Sequence, residues 1–464
     1  MFTKFKEKFI GTREFYSYVL AIAVPMILQN VVTNFVSLLD NIMVGQIGTD
    51  QMSGVAIANQ FFFVFNITIF GAVSGPGIFG SQFRGKGDMK GQMYTFRFRV
   101  IMAAIIVAIA AFIFKTWDTE LISLYLSEAG EAGNTTLALQ YGKEYMGIMI
   151  WCLIPFAFGQ AYASVLRECE ETRIPMIGSI SAVGLNLFLD YSLIFGKFGF
   201  PEMGVKGAAI ATVVAKFIEA GVVIIWAHLH TERVGCMEGL YKSLFIPFDL
   251  VKNMIIKGTP LLMNEFFWAL GMAVLNQCYA YRGLEVVAAQ NISGTLTNLF
   301  GMVYLQLGAS ISIIVGQKLG SGNLEEAKDT DYKMIAFSVF VCIIVTIIML
   351  PIARFFPLLY KTEQVVRDLA TYFIIIVAFA MPMWAFTNAC YFTLRSGGKT
   401  GITFIFDSVY TWVIIIPLVF VLSRFSPWSI RVIFAMVTYV EVIKCTLGFF
   451  MVRSGVWIKN LVDD

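Results

Sequence analysis

Charge is the scarcest commodity in this sequence. Of 464 residues only 14% are Asp, Glu, Lys or Arg, where a water-soluble domain carries roughly a quarter. Histidine is nearly absent, at two residues, which excludes an imidazole-based metal site or catalytic array. The seven cysteines, Cys152, Cys169, Cys236, Cys278, Cys342, Cys390 and Cys445, are scattered without a close pair, so no disulfide framework or thiolate metal site follows from their spacing. A net charge of +3, with no long basic run or low-complexity tract, excludes nucleic acid as a partner. The first twenty residues lack the short apolar core and small-residue cleavage site of a signal peptide.

What is abundant is apolar: 58% of residues are hydrophobic and mean hydropathy is +0.74. Apolar runs of about 18 residues or more match the hydrocarbon thickness of a bilayer. They recur at 15–46, 52–80, 93–115, 141–165, 174–196, 206–228, 252–281, 286–316, 333–356, 366–394, 402–423 and 428–451. The expected fold is therefore all-α and integral to the membrane, with twelve transmembrane helices. Roughly two-thirds of the 34 Lys and Arg residues fall on one side of that arrangement, the side that holds both termini, which the positive-inside rule makes cytoplasmic. A multi-pass inner (plasma) membrane protein is the expected location. Phe2, Phe5 and Phe9, interleaved with Lys4, Lys6 and Lys8, predict a short interfacial helix ahead of the first span.

The chain repeats itself. A shift of 235 positions lays Pro25 on Pro260, Asn41 on Asn276, Gly48 on Gly283, Gln82 on Gln317, Gly85 on Gly320 and Gly87 on Gly322. Later, a shift of 228 lays Arg167 on Arg395, Thr172 on Thr400 and Lys216 on Lys444. Two six-helix lobes of the same topology follow, related by an axis along the membrane normal, with the substrate route expected in a cleft between them. The predicted organisation is an N-terminal segment 1–14, an N-lobe 15–228, a cytoplasmic linker 229–251, a C-lobe 252–451 and a cytoplasmic C-terminus 452–464.

Ionisable residues inside the spans are costly and usually face a cavity or one another. They are Asp40, Asp190, Lys216, Glu219, Glu265, Asp407, Glu441 and Lys444. Asp40 lies about 8 residues before Gly48, or roughly 12 Å down the helix, too deep for its short stem to reach water. Asp190 has Asn186 one turn earlier on the same face. Two carboxylates and an amide at similar depth can share a proton or hold a small cation; a purely structural role as helix-pinning hydrogen-bonders is the alternative. Under the repeat, Asp40 falls on Leu275, Asn186 on Ile414 and Asp190 on Leu418, so this polar cluster belongs to one half alone. Lys216 with Glu219, and Glu441 with Lys444, are spaced three apart and are expected to neutralise each other. Glu265, with Trp268 one turn on, fits either a second protonation or substrate-cation site or a structural hydrogen bond. Asp407 is expected to reach the inner interface.

Pro25, Pro76, Pro155, Pro260, Pro382 and Pro417 lie within predicted spans, where each removes a backbone hydrogen bond. Pro25 and Pro260 occupy matched positions, as hinges or as fixed kinks. RGKGD at 84–88 lacks Walker A spacing and HLH at 228–230 is not HExxH. NLEE at 323–326 has the pattern of a capping box, and NTT at 134–136 that of a glycosylation acceptor.

LLDNIMVGQIGTDQMSGVAIANQ from the first span, SQFRGKGD after the second span and NLFLDYSLIFGKFGFPEMGVKGAAIAT across the fifth and sixth together resemble the multidrug and toxic compound extrusion (MATE) family, in particular its DNA-damage-inducible bacterial branch. The resemblance covers almost the whole chain. It implies two lobes around a V-shaped cleft, export of amphipathic, mostly cationic compounds in exchange for H⁺ or Na⁺, and a coupling site in the N-lobe. By motif that site maps to Asp40, Asn186, Asp190 and Thr212, where Na⁺ would be the only metal expected. Bending of the first helix at Pro25 is implied to accompany protonation. Another branch pairs a seventh-span Glu with a tenth-span Asp, and this chain has Glu265 without the second acid.

The expected activity is secondary active antiport, without a cofactor and without enzymatic chemistry, by a monomer whose partners are organic cations and membrane lipid. A lipid or lipid-linked-saccharide flippase of the same superfamily is the alternative, and it would need several unpaired cationic side chains for a phosphate. An integral membrane enzyme would need a cluster of His, Cys or metal ligands. A channel fits poorly with a two-lobed repeat and paired prolines.

Overall fold

The computed structural model describes residues 8–126 and 135–463. The proposed interfacial helix falls largely on 1–7, and the acceptor Asn134 on 127–134, both outside the described residues. Helix dominates the rest: α1 (Arg13–Gly45), α2 (Thr49–Lys86), α3 (Met89–Thr116), the short α4 (Asp118–Leu126), α5 (Thr135–Met149), α6 (Leu153–Glu168), α7 (Arg173–Phe195) and α8 (Val205–Leu229) come first. They are followed by α9 (Phe248–Ala280), α10 (Leu284–Gly320), α11 (Leu324–Phe355), α12 (Gln364–Ser396), α13 (Thr400–Phe404), α14 (Ile416–Phe425), α15 (Ile430–Tyr439) and α16 (Val442–Arg453). A 3₁₀ turn at Ile150–Cys152 runs α5 into α6, and π-helical turns at Ile405–Val409 and Thr411–Ile415 run α13 into α14. Among the described residues eleven helical stretches are long and apolar enough to cross a membrane. The remaining long helix, α9, has 33 residues and is diluted by Lys252, Lys257, Asn264 and Glu265.

Contacts divide the chain into two compact units, Val24–Gly80 with Met89–Lys252, and Asn253–Asp464 with Ser81–Asp88 and the segment ending at Ala23. Both α1 and α2 run unbroken from one unit into the other. Pro25 and Pro260 lie inside continuous helices.

In the first unit Phe62, Ile69, Ile122, Met146 and Leu153 bury one another in the main core. A second core gathers Phe96, Tyr162, Leu166 and Val223 beneath Val234, Cys236, Met237 and Leu240 of the connection from α8 to α9. That connection is irregular, with two single 3₁₀ turns. Arg97 fastens it by donating to the carbonyls of Leu240 (2.8 Å), Gly239 (3.0 Å) and Phe245 (3.1 Å). Gly239 stands at φ +74°, a backbone state that only glycine adopts without strain. Cys236 meets Cys169, a pairing invisible in their spacing; that hydrogen bond and burial push the Cys236 thiol well above its ordinary value. His228 bonds to the Tyr162 hydroxyl at 2.8 Å and His230 to the Trp226 carbonyl at 3.0 Å, so the HLH pair is structural.

Helices α7 and α8 pack face to face. A Cβ on Gly207 would stand 2.7 Å from the Leu193 carbonyl, and one on Gly178 3.2 Å from that of Glu219. The two glycines thus let the helix backbones approach closely, which brings their polar side chains together.

In the second unit α10, α11 and α12 form the packed centre, with Phe373 stacked on Phe434 at 4.0 Å between ring centroids. Gly85 lies against the Gln317 backbone and Gly320 against that of Gln82, a reciprocal contact between positions that the 235-residue shift already equates. Gln82, fully buried, donates to the Ser396 and Lys459 carbonyls and accepts from the Leu461 amide. Asn323 does precede α11, but its side chain caps no backbone amide and donates to Glu326 at 3.2 Å instead. The capping box expected at NLEE is therefore not formed.

Candidate cation site

Three helices of the first unit each contribute one face to a cavity of about 110 Å³. From α1 come Thr33, Val36 and Asp40; from α7 Ser179, Ala182, Val183 and Asn186; from α8 Thr212, Ala215, Lys216 and Glu219. Spacings of three, four and seven put each set on a single stripe of its helix. The volume accommodates a few water molecules or a small hydrated cation. It falls well below the roughly 300 Å³ at which drug-sized pockets begin.

The structure brings Asp40, Asn186 and Thr212 onto this cavity, and Asp190 into electrostatic contact with Asp40 and Asn186. Asn186 and Asp190 are buried, at 6% and 1% exposure. Asp40 Oδ1, both carboxylate oxygens of Asp190 and the Asn186 amide nitrogen are buried and turned to one another, Asp190 lying between Asp40 and Asn186, and none of these atoms has a hydrogen-bond partner outside the cluster among the described residues. Buried polar atoms are nearly always satisfied, so a cluster that finds partners only within itself is open to an incoming proton, cation or water. Thr212 donates to the Ala208 carbonyl at 3.0 Å, which leaves its hydroxyl lone pairs for an incoming cation. Carboxylate, amide and hydroxyl oxygens are the donor set of a hard cation, and two neighbouring carboxylates can equally share a proton.

Lys216 belongs to the same cavity. Its ammonium meets Glu219 at 2.7 Å, the pairing expected from their spacing. Beyond it runs a chain that spacing did not disclose: Ser179 donates to Glu219, Gln29 to Ser179 at 2.9 Å, and Arg167 to Gln29 at 3.2 Å. Ser179 could have been found, since it lies seven residues before Asn186 on the same stripe.

The second unit holds a related arrangement and corrects one expectation. Lys444 pairs with Asp407 at 2.6 Å rather than with Glu441, three residues away, which stays within its electrostatic reach. Asp407 accepts from Asn264 at 3.0 Å as well as from Lys444. Its place in the π-helical turn Ile405–Val409 takes it off the face that a regular α-helical count assigns. Glu265, partly buried, lies in the field of Arg395 and Asp407, while Trp268 is exposed on the same helix.

The MatE family model matches twice along the chain, over 25–192 and over 260–421. The chain belongs to the MatE family. The two matched stretches of this MatE chain begin at Pro25 and Pro260, the prolines that open the internal repeat. A probable multidrug resistance protein NorM from Thermotoga maritima is 24% identical over 445 residues, covering 95% of this chain and 93% of the relative. Among solved structures, the outward-facing conformation of a multidrug resistance MATE family transporter superposes with a TM-score of 0.78 at 17% identity, over 94% of each chain. A MOP superfamily transporter from Pyrococcus furiosus gives a TM-score of 0.81 at 17% identity, over 94% of this chain and 95% of the other. The twelve-helix fold of the family is thus the fold of this chain, and the protein is a multi-pass membrane protein.

Proposed function

We propose that this protein is a secondary active multidrug efflux antiporter, exporting small amphipathic, mostly cationic organic compounds in exchange for H⁺ or Na⁺. The observation that carries the proposal is the pair of neighbouring buried carboxylates, Asp40 and Asp190, of which Asp40 lines, together with Asn186, a space suited to an ion and too small for a drug. The exchanged cation is taken by Asp40 and Asp190, with Asn186 and Thr212 supplying neutral ligands. Binding there stabilises one packing of α1 against α7 and α8, and drug affinity differs between the packings; a cation drives transport only through such a difference. The names of relatives, such as the Thermotoga maritima protein, support drugs as the cargo. In this reading the lobes 15–228 and 252–451 move about Pro25 and Pro260, Glu265 and Trp268 serve as a second cation-attracting site, and the protein works as a monomer in the plasma membrane with both termini cytoplasmic.

Flippase activity is disfavoured by the state of the mid-span lysines. Lys216 is held by Glu219 and Lys444 by Asp407, which takes up the charge a phosphate would need.

The test is transport of a cationic dye into or out of reconstituted vesicles under an imposed H⁺ or Na⁺ gradient, each ion applied separately. Asp40→Asn should abolish the gradient-driven component while leaving the folded protein intact. Gradient-driven transport that persists in both Asp40→Asn and Asp190→Asn overturns the assignment.

A further inference from the structure

The lysines Lys216 and Lys444 occupy equivalent positions in the repeat, yet they are partnered differently. Lys444 reaches across to a carboxylate on the neighbouring helix, Asp407, at 2.6 Å. At the position equivalent to Asp407 the first unit has Ser179, and at the position equivalent to Glu219 the second unit has Leu447. The acid that holds the lysine has thus changed helices. In the first unit Glu219 takes Lys216 along its own helix, three residues on, although Lys216 lines the same cavity as Asp40 and lies in its field.

The hold on Lys216 is itself braced. One oxygen of Glu219 receives the ammonium, and the other receives the Ser179 hydroxyl, which in turn accepts from Gln29. Gln29, Lys216 and Glu219 also line a second, smaller cavity, which Asp40 does not line. A lysine that lines two cavities, one of them shared with Asp40, stays where it is only while Glu219 is charged and held. Released, it has Asp40 as the other carboxylate in whose field it lies, and a lysine seated on Asp40 would occupy the position of the exchanged cation.

We infer that Glu219 is a positioning residue that keeps Lys216 off Asp40, leaving the Asp40 and Asp190 carboxylates open to the exchanged ion. The inference rests on the coupling role proposed above for Asp40. The charged and titratable groups facing the pair are Asp40 from α1, Cys152 from the turn before α6, Arg167 from α6, and Asp190, beside Asp40, from α7.

The test measures, in proteoliposomes, the ion concentration giving half-maximal gradient-driven dye transport. Glu219→Gln should raise that concentration by about tenfold, equivalent to about one pH unit lower if the ion is H⁺. The double variant Lys216→Met with Glu219→Gln should return it to within about twofold of the parent, because the competitor is gone. Ser179→Ala, which loosens Glu219 without removing it, should shift it in the same direction by less, and it serves if Glu219→Gln fails to fold. A merely structural pair would lower yield and maximal rate in the single and double variants alike without moving the half-point. An unmoved half-point in Glu219→Gln and Ser179→Ala, or a double variant as shifted as the single, overturns the inference. An Asp40→Asn arm separates the two ideas: coupled transport surviving there removes the Asp40 reading itself, whereas its loss there, with no shift in the Glu219 variants, removes only the positioning role.

Discussion

Gly85 lies so close to the backbone carbonyl of Gln317 that no side-chain carbon fits between them. Gly320 stands in the same relation to Gln82. A methyl group added at either position meets backbone, which cannot rotate aside, so overpacking of about 1–3 kcal/mol or more is expected. Gly85→Ala and Gly320→Ala should each lower the thermal midpoint of the purified protein. Gly87, at φ +78° with open space around it, should lose stability through backbone strain alone, so Gly87→Asn should be milder than Gly87→Val. Unchanged melting of Gly85→Ala would count against this packing.

Arg99 and Glu168 form an ion pair at 2.6 Å with side-chain exposures of 0% and 4%. Ser164 accepts from the same guanidinium at 2.6 Å, and a Cβ on Gly80 would collide with the pair. Removing one partner strands a buried charge, at a cost of about 3–5 kcal/mol, whereas replacing both with apolar residues often costs much less. Glu168→Leu should therefore unfold at markedly lower denaturant than Arg99→Met with Glu168→Leu together. A double variant no better than the single would remove the stranded-charge explanation.

For Lys444 the partner is decided by comparing two neutralisations. Asp407→Asn should destabilise the second unit and be relieved by Lys444→Met in the same chain, because both lose the same pair. Glu441→Gln, which removes a charge in the field of Lys444 but no hydrogen bond to it, should show clearly weaker coupling. Equal coupling of Lys444 to both acids in a double-mutant cycle would contradict the pairing at 2.6 Å.

The ion cavity can be filled from an apolar wall. Ala182, on α7 between Ser179 and Asn186, lines the space of about 110 Å³ and is buried. Ala182→Leu should abolish the stimulation of transport by the coupling ion, while equilibrium binding of a drug in the absence of a gradient is retained. Loss of drug binding together with ion response would mean that the cavity serves both ligands.

Much of this was legible in the sequence, for identifiable reasons. Apolar runs and a gap-free 235-residue shift do not depend on how helices rotate, so the spans, the repeat and the convergence of Asp40, Asn186 and Asp190 in one half could be read directly. Pairings between helices could not. Spacing rewards neighbours on one helix, which correctly joined Lys216 to Glu219 and wrongly joined Lys444 to Glu441. The π-helical turns near Asp407 alter the count on which such reasoning relies. Cys169 with Cys236, and Ser179 with Gln29, meet only because α6, α7 and the connection after α8 fold back on the core, and no local pattern encodes that return.

The fully buried amide of Gln82 waits for a partner 379 residues further along the chain, the backbone of Leu461. At ribosomal rates of about 5–20 residues per second, that partner emerges on the order of tens of seconds after Gln82 itself. Throughout that interval the end of α2 carries an amide group for which the finished protein has reserved residues not yet made. A chain stopped short of Leu461 leaves the Gln82 carbonyl without the amide that donates to it, so the residues about Leu461 act as a seal on the end of α2.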